Sequence, residues 1–255
     1  MKNKIKYMYS ISSDKGLKPN NEDAAWIGFN KSNQCLAIIC DGIGSEKNSD
    51  QSSKLVVNAF QTSFSRRRHI WTPKLWFKHT LLYASTKLNL LYKQNGAHIG
   101  TTIVLCLISN QKVYAFNIGD SRLYHFSMSQ YKWIIKTKDH NLFNFLVDNH
   151  APQISFKRHA NNLLSLTNFI DSTDDRHEHM KFNYVKFLIQ YNDVIFLASD
   201  GLYNFIDLSY LNEVIRKLGL DKFEDVVSEL IKKALNNHSH DNLSGIIIQL
   251  TKNIN

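Results

Sequence analysis

This chain of 255 residues has little of what marks secreted, membrane-bound or linker-joined proteins. It has three cysteines, Cys35, Cys40 and Cys106, each in an apolar, strand-like segment. An odd count argues against a disulfide framework, and without a Cys-x-x-Cys pair a structural zinc site is not expected; free thiols in such segments behave as small hydrophobes. The three prolines, Pro19, Pro73 and Pro152, mark no domain boundary, and there is no low-complexity linker or internal repeat. One domain over 1–255 is therefore expected. No run approaches the roughly 18 apolar residues of a membrane span. A basic start, Met1 to Lys6, leads into polar residues instead of an apolar signal core, which predicts a cytoplasmic protein and leaves export to a host cell open. Acidic residues are outnumbered, 22 against 31 Lys and Arg, a formal charge of +9. Such a surface attracts phosphorylated or acidic partners, nucleic acid or anionic lipid. The densest run, Arg66-Arg67-Arg68-His69, reads as the end of a helix, where cations are favoured. No aromatic-interleaved basic patch offers a nucleic-acid stacking platform.

The acidic residues that are present fall into ordered signatures: Asn21-Glu22-Asp23, Asp41-Gly42, Gly119-Asp120-Ser121-Arg122, Ser199-Asp200-Gly201 and Asp241-Asn242. Apolar runs precede three of them: 36–40 before Asp41, 113–118 before Asp120 and 194–198 before Asp200. A strand ending in Asp, often with Gly next, delivers a carboxylate to a sheet edge where the backbone can approach closely. Several converging carboxylates repel one another unless a cation neutralises them, and all-oxygen ligands suit Mg²⁺ or Mn²⁺. The plain alternative for each Asp is a turn or a helix cap.

Strands are predicted over 5–13, 24–30, 35–40, 101–108, 112–118, 121–127, 131–136, 184–190, 193–199 and 243–251. Gly119-Asp120 reads as a hairpin turn, and Asn110-Gln111 and Asn192-Asp193 as further turns. Helices are predicted over 50–65, with Leu55, Val56, Ala59, Phe60 and Phe64 at helical spacing, and from Thr72-Pro73 onward, carrying Leu75, Leu81, Leu82, Leu88 and Leu91. Two more are predicted over 208–218 and 221–236, the last capped by Asp221. Residues 139–184 are polar and too long for an idle loop, so short helices or a cover over a site are expected there. The order fits antiparallel sheets with helices outside better than βαβ alternation.

At this point the chain resembles the metal-dependent serine/threonine protein phosphatases of the type 2C class, in their compact bacterial form. The resemblance runs from Ser12-Ser13-Asp14-Lys15-Gly16 to Asp241-Asn242-Leu243-Ser244. It is carried by the signatures above with Asp41-Gly42-Ile43-Gly44, Gly100-Thr101-Thr102, Lys138-Asp139-His140 and Ala198 to Leu202. It implies an α+β fold: two antiparallel sheets sandwiched face to face, with helix pairs on both outer faces and 139–184 as a flap. It implies hydrolysis of phosphoserine and phosphothreonine by a water bridging two Mn²⁺ or Mg²⁺ ions, with no covalent phospho-enzyme, in a monomer acting on phosphorylated proteins. Asp41 would bridge the ions, with Asp200, Asp241 and the Gly42 carbonyl as further ligands and Glu22 acting through water. Asp120 would serve a third, weaker ion, Asp23 and Asn242 would support from behind, and Lys18 would bind phosphate.

The chain departs from the family pattern in three places. Lys18 stands where an Arg is usual, so a bidentate fork becomes a point charge. Ser45-Glu46 replaces a common Gly-His, and Ile43 stands where some eukaryotic members have a His. His140 is expected to anchor the flap, His238 and His240 to be solvated loop residues, with proton donation to the leaving group by His240 as the alternative, and His177 and His179 to lie on the flap surface, with adventitious metal binding as the alternative. Two other readings stay open: a pseudophosphatase that binds phosphoproteins without turnover, and a basic nucleic-acid-binding protein.

Overall fold

A computed structural model describes residues 5–43, 49–96, 98–173, 181–218 and 222–251. Gly44, Ser45, Glu46, His177, His179 and the expected cap Asp221 lie outside the described residues. Twelve strands are described: β1 (Lys6–Asp14), β2 (Asp23–Phe29), β3 (Cys35–Ile43), β4 (Gly100–Thr101), β5 (Ile103–Ser109), β6 (Lys112–Ile118), β7 (Arg122–Ser127), β8 (Lys132–Ile135), β9 (Ile170–Asp171), β10 (Asn183–Leu188), β11 (Val194–Ala198) and β12 (Leu243–Thr251). The helices are α1 (Ser49–Ser65), α2 (Pro73–Asn95), α3 (Leu142–Asp148), α4 (Gln153–Arg158), α5 (Asp200–Tyr203), α6 (Leu208–Leu218) and α7 (Val226–Asn236).

The strands form two antiparallel sheets. One runs β1-β12-β11-β7-β8, the other β10-β6-β5-β3-β4-β9 with β2 also on β3. Side-chain parity builds the layers, because alternate residues of a strand face opposite sides. In β3, Cys35, Ala37 and Ile39 meet Ile195, Leu197, Ile246 and Ile248 of the other sheet. Leu36, Ile38 and Cys40 face the opposite way, into a layer shared with α1 and α2. In β11 and β12, Phe196 and Ile247 face α6 and α7. The result is helices, sheet, sheet, helices. All three cysteines are buried and free. Among the described residues, no helix is long and apolar enough to cross a membrane.

Most predicted elements are present within a few residues, and three differ in an informative way. The Gly119-Asp120 turn is not a hairpin: β6 belongs to one sheet and β7 to the other, so the turn carries the chain between layers. The Asn110-Gln111 turn does close a hairpin, with Asn110 at φ 56° in the left-handed region that Asn tolerates. On α2, Leu81 and Leu88 are buried, whereas Leu75 and Leu82 face out. The face that packs is Phe77, Leu81, Ala84 and Leu88, anchored where Phe77 stacks on Phe116 at 4.3 Å; burying such a ring is worth about 1.5–3 kcal/mol. The last helix begins as a 3₁₀ turn at Phe223–Asp225 and becomes α-helical only at Val226.

Candidate active site

Antiparallel pairing gathers the acidic signatures at one edge of both sheets. Asp23, the first residue of β2, lies opposite Asp41 in β3. Ile39 pairs with Val104 and Ile103 with Ile118, so β6 ends on the same side and turns at Gly119-Asp120. In the other sheet Ala198 pairs with Gly245. Asp200 therefore leaves the end of β11 beside Asp241-Asn242, which lead into β12.

Hydrogen bonds then join the two sheets. The Ser199 hydroxyl donates to Asp23 Oδ2 at 2.8 Å. Asn242 Oδ1 accepts the Glu22 N–H at 2.9 Å, while its Nδ2 donates to the Lys15 and Asn20 carbonyls at 2.8 and 2.9 Å. Asn242 thus pins the 15–22 turn to the start of β12. β3 runs two residues past Asp41, held by Gly100-Thr101-Thr102. Thr101 Oγ1 donates to the Asp41 carbonyl at 2.8 Å, and Thr102 Oγ1 accepts the Asp41 N–H at 3.1 Å. Two glycines permit the crowding. A Cβ on Gly42 would lie 2.6 Å from the Glu22 and Ser49 carbonyl oxygens, and one on Gly201 would lie 2.1 Å from the Asn242 carbonyl oxygen.

The electrostatics are those of a site short of positive charge. The Asp41 carboxyl is held well above the usual range by desolvation and then by Asp23, Asp200, Asp120 and Asp241. Asp120 is pushed up to about 7 by desolvation and by Asp200. Asp23 is pushed up to about 6 by desolvation, against the pull of hydrogen bonds from Ser244 and Ser199. Asp200 is raised by desolvation and by Asp241, while hydrogen-bond contact with Asp41 works the other way. Among the described residues, the buried oxygen Asp23 Oδ1 has no hydrogen-bond partner.

Among the described residues, Lys18 is a cation paired directly with these carboxylates. Its Nζ pairs with Asp241 Oδ1 and lies 3.5 Å from Glu22 Oε2. Desolvation opposes its charge, but Asp241, Glu22 and Asp41 outweigh that and raise its pKa. The Ser49 hydroxyl donates to Glu22 Oε1. Among the described residues, no group of three or more Asp, Glu, His or Cys side chains already stands arranged to hold an ion. The donor chemistry nevertheless fits a hard divalent cation: all-oxygen, mutually repelling, with one orphaned buried oxygen behind it.

A protein-family profile described as protein phosphatase 2C matches residues 16–246. The chain belongs to the protein phosphatase 2C family. It is a metal-dependent serine/threonine protein phosphatase of the bacterial type. The phosphatase is similar to a putative protein phosphatase of Mycoplasma pneumoniae, 32% identical over 94% of this chain and 95% of that one. It is similar to the serine/threonine phosphatase stp of Listeria monocytogenes, 26% identical over 93% of each. In fold it is similar to the catalytic domain of the serine/threonine phosphatase PstP, solved in complex with two manganese ions, at a TM-score of 0.78 and 20% identity over 97% of this chain and 100% of that one.

Beside this edge lie Arg122 and Tyr203, which the sequence expectations gave no role, and His140, expected to anchor the flap. Arg122 holds Asp139 with three hydrogen bonds of 2.7–3.2 Å. Its guanidinium lies 4.1 Å from the centre of the Tyr203 ring, and Tyr203 Oη donates to the Asp120 carbonyl at 3.2 Å. The Gly-Asp-Ser-Arg and Lys-Asp-His motifs are therefore two halves of one clamp around Asp120; both were visible as motifs, but nothing local shows that they meet. His140 belongs to the same clamp. Its Nδ1 accepts the Gly119 N–H at 3.0 Å and its backbone N–H returns to the Gly119 carbonyl at 2.9 Å. Desolvation lowers its pKa, which favours the neutral ring that this acceptor role requires. His238 and His240 are exposed on the loop before Asp241.

Proposed function

We propose that this metal-dependent protein phosphatase hydrolyses phosphoserine and phosphothreonine at the edge where Asp41, Asp200 and Asp241 converge. These three carboxylates would hold two Mn²⁺ or Mg²⁺ ions together with the Gly42 carbonyl and Glu22, and Asp120 would serve a third, weaker one. The carrying observation is the meeting of carboxylates from both sheets at one edge, where desolvation and mutual repulsion hold Asp41, Asp120 and Asp200 in the protonated direction. When bound, such ions supply an acidified water and offset charge on the phosphoryl oxygens. The chain supplies the placement. Thr101 and Thr102 fix the Asp41 backbone, Asn242 fixes Glu22, and Arg122-Asp139 fixes Asp120. Lys18, on the same edge, is the cation that would meet the phosphate once it leaves Asp241. Asp23 stands behind, held by Ser199.

The buried state of all three cysteines leaves no thiol to act as a nucleophile, in keeping with direct hydrolysis, and suits the reducing cytoplasm. The 1–255 chain is proposed to act as one catalytic domain and as a monomer on phosphorylated proteins. Its 139–184 segment, rooted at His140 on Gly119, would be the flap beside the site.

The test is phosphate release from a phosphothreonine peptide with Mn²⁺, with Mg²⁺ and with chelator, for the native chain and Asp41→Asn. Turnover is expected only with metal. The variant should stay folded and lose several orders of magnitude, because the amide would lack the negative charge with which Asp41 would hold the ions that supply the acidified water. Activity surviving exhaustive chelation, or a folded, metal-loaded Asp41→Asn enzyme of near-native rate, would overturn the assignment.

A further inference from the structure

The chain's excess positive charge is concentrated in one layer. Residues 49–95, which contain α1, α2 and their connection, hold eight Lys and Arg and a single acidic residue, Asp50. That is +7 of the formal +9. Asp50 is already taken by Lys54 at 2.8 Å, one helical turn away. None of this layer joins the carboxylate edge except the start of α1, where Ser49 reaches Glu22.

On the outer side of the layer, α1 and α2 splay to leave a groove of about 1130 Å³. Its apolar surface comes from Leu55 and Ala59 of α1 and Tyr83, Leu90 and Leu91 of α2. Tyr83 and Leu90 are 56% and 45% exposed, although each could have been polar at no cost to the core. The cations lining the groove are Lys54, Arg66, Arg67 and Lys87, and none of the lining residues is acidic.

An apolar strip flanked by uncharged polar groups and four cations, with no carboxylate in its lining, is half of an amphipathic interface. Its complement carries leucine-like side chains on one face and carboxylates beside them, as in helix-in-groove recognition. A flat lipid surface would not fill a concave trough, and a nucleic-acid backbone would leave the apolar strip between the cations uncovered. We propose that the α1–α2 groove is a docking site for an acidic amphipathic segment of a partner protein. The site is distinct from the carboxylate edge. It opens at Gln51 and Lys54, within about one and a half turns of Ser49, so a docked segment lies beside the catalytic edge without covering it.

The experiment uses the full chain and a fluorescein-labelled peptide of about 18 residues, ~27 Å of helix, with leucines at helical spacing among glutamates. Fluorescence anisotropy should show saturable binding at about 10 µM or tighter, weakening with salt as exposed charge pairs do. Arg67→Glu with Lys87→Glu, and separately Leu90→Glu, should each weaken binding at least tenfold while leaving hydrolysis of a small aryl phosphate unchanged. A peptide with every glutamate changed to glutamine should bind at least tenfold more weakly to the unaltered protein, which tests the charge argument even if a variant misfolds. Absence of saturable binding to the native chain overturns the proposal. So does equal affinity for the folded charge-reversed variant, or retention on phosphatidylglycerol vesicles or duplex DNA through these same residues while the peptide stays free.

Discussion

Replacing Asn242 by alanine should loosen the catalytic edge while leaving every proposed metal ligand's own side chain in place. The side chain is 2% exposed and makes three hydrogen bonds, to the Glu22 N–H and the Lys15 and Asn20 carbonyls. Its orientation is unambiguous, because Nδ2 faces two acceptors and Oδ1 faces a donor. A typical buried hydrogen bond contributes about 0.5–1.5 kcal/mol net, and a buried group left unpaired costs more. Lys15 and Asn20 are exposed, so water can take over part of their bonding, whereas Glu22 is half-buried. The expected loss is therefore about 2–3 kcal/mol, or roughly 5–10 °C in Tm for a chain of this size. Asn242→Asp is the sharper probe. It keeps the acceptor for Glu22 but turns a carboxylate oxygen toward two carbonyls, and it adds charge beside Asp241. In chelator it should be at least as destabilised as the alanine variant. Urea unfolding followed by tryptophan fluorescence measures both, and direct Mn²⁺ titration should show weakened affinity as Glu22 loses its anchor. An alanine variant within about 0.5 kcal/mol of the native chain, with unchanged Mn²⁺ affinity, would show that Asn242 does not hold the 15–22 turn.

Two further outcomes follow from the electrostatics. Lys18→Ala removes the ammonium paired with Asp241 and near Glu22, both half-exposed pairs worth at most about 1 kcal/mol. Mn²⁺ affinity measured by calorimetry should rise up to about fivefold, while KM for a phosphothreonine peptide rises more than kcat falls; unchanged values for all three would make Lys18 a bystander. For pH, Asp120 near 7 in the folded, metal-free chain compares with about 4 when unfolded. The folded state then holds a proton that the unfolded state has released, so stability in chelator should fall as pH rises from about 4 through about 7 and level off above. Saturating Mn²⁺ should abolish that trend; thermal melts at pH 5.5 and 8 that show a rise with pH in chelator would refute it.

Local chemistry carried much of this protein in the open. Alternation along β3 assigns Cys35, Ala37 and Ile39 to one face and Leu36, Ile38 and Cys40 to the other, and the structure buries both sets in different layers. The ordered Asp signatures are local too, since an apolar run followed by Asp is readable without any partner. Tertiary structure alone decided how those pieces meet. Gly119-Asp120 has the residues of a hairpin turn, yet β6 and β7 pair with β5 and β11, and no local pattern encodes which distant strand supplies the register. Leucines 75 and 82 resemble core residues, but a helix buries only the stripe its neighbours cover, and on α2 that stripe runs through Phe77, Ala84 and Leu88. Arg122 and Asp139 are 17 residues apart and become partners only because both flank the Asp120 turn. The resemblance makes Lys18 a phosphate ligand; that its ammonium pairs with Asp241, more than 200 residues along the chain, is something only the fold decides. Sequence determines what each segment can contribute; long-range pairing determines which charges face one another, because Coulomb and hydrogen-bond energies depend on separation in space and not along the chain.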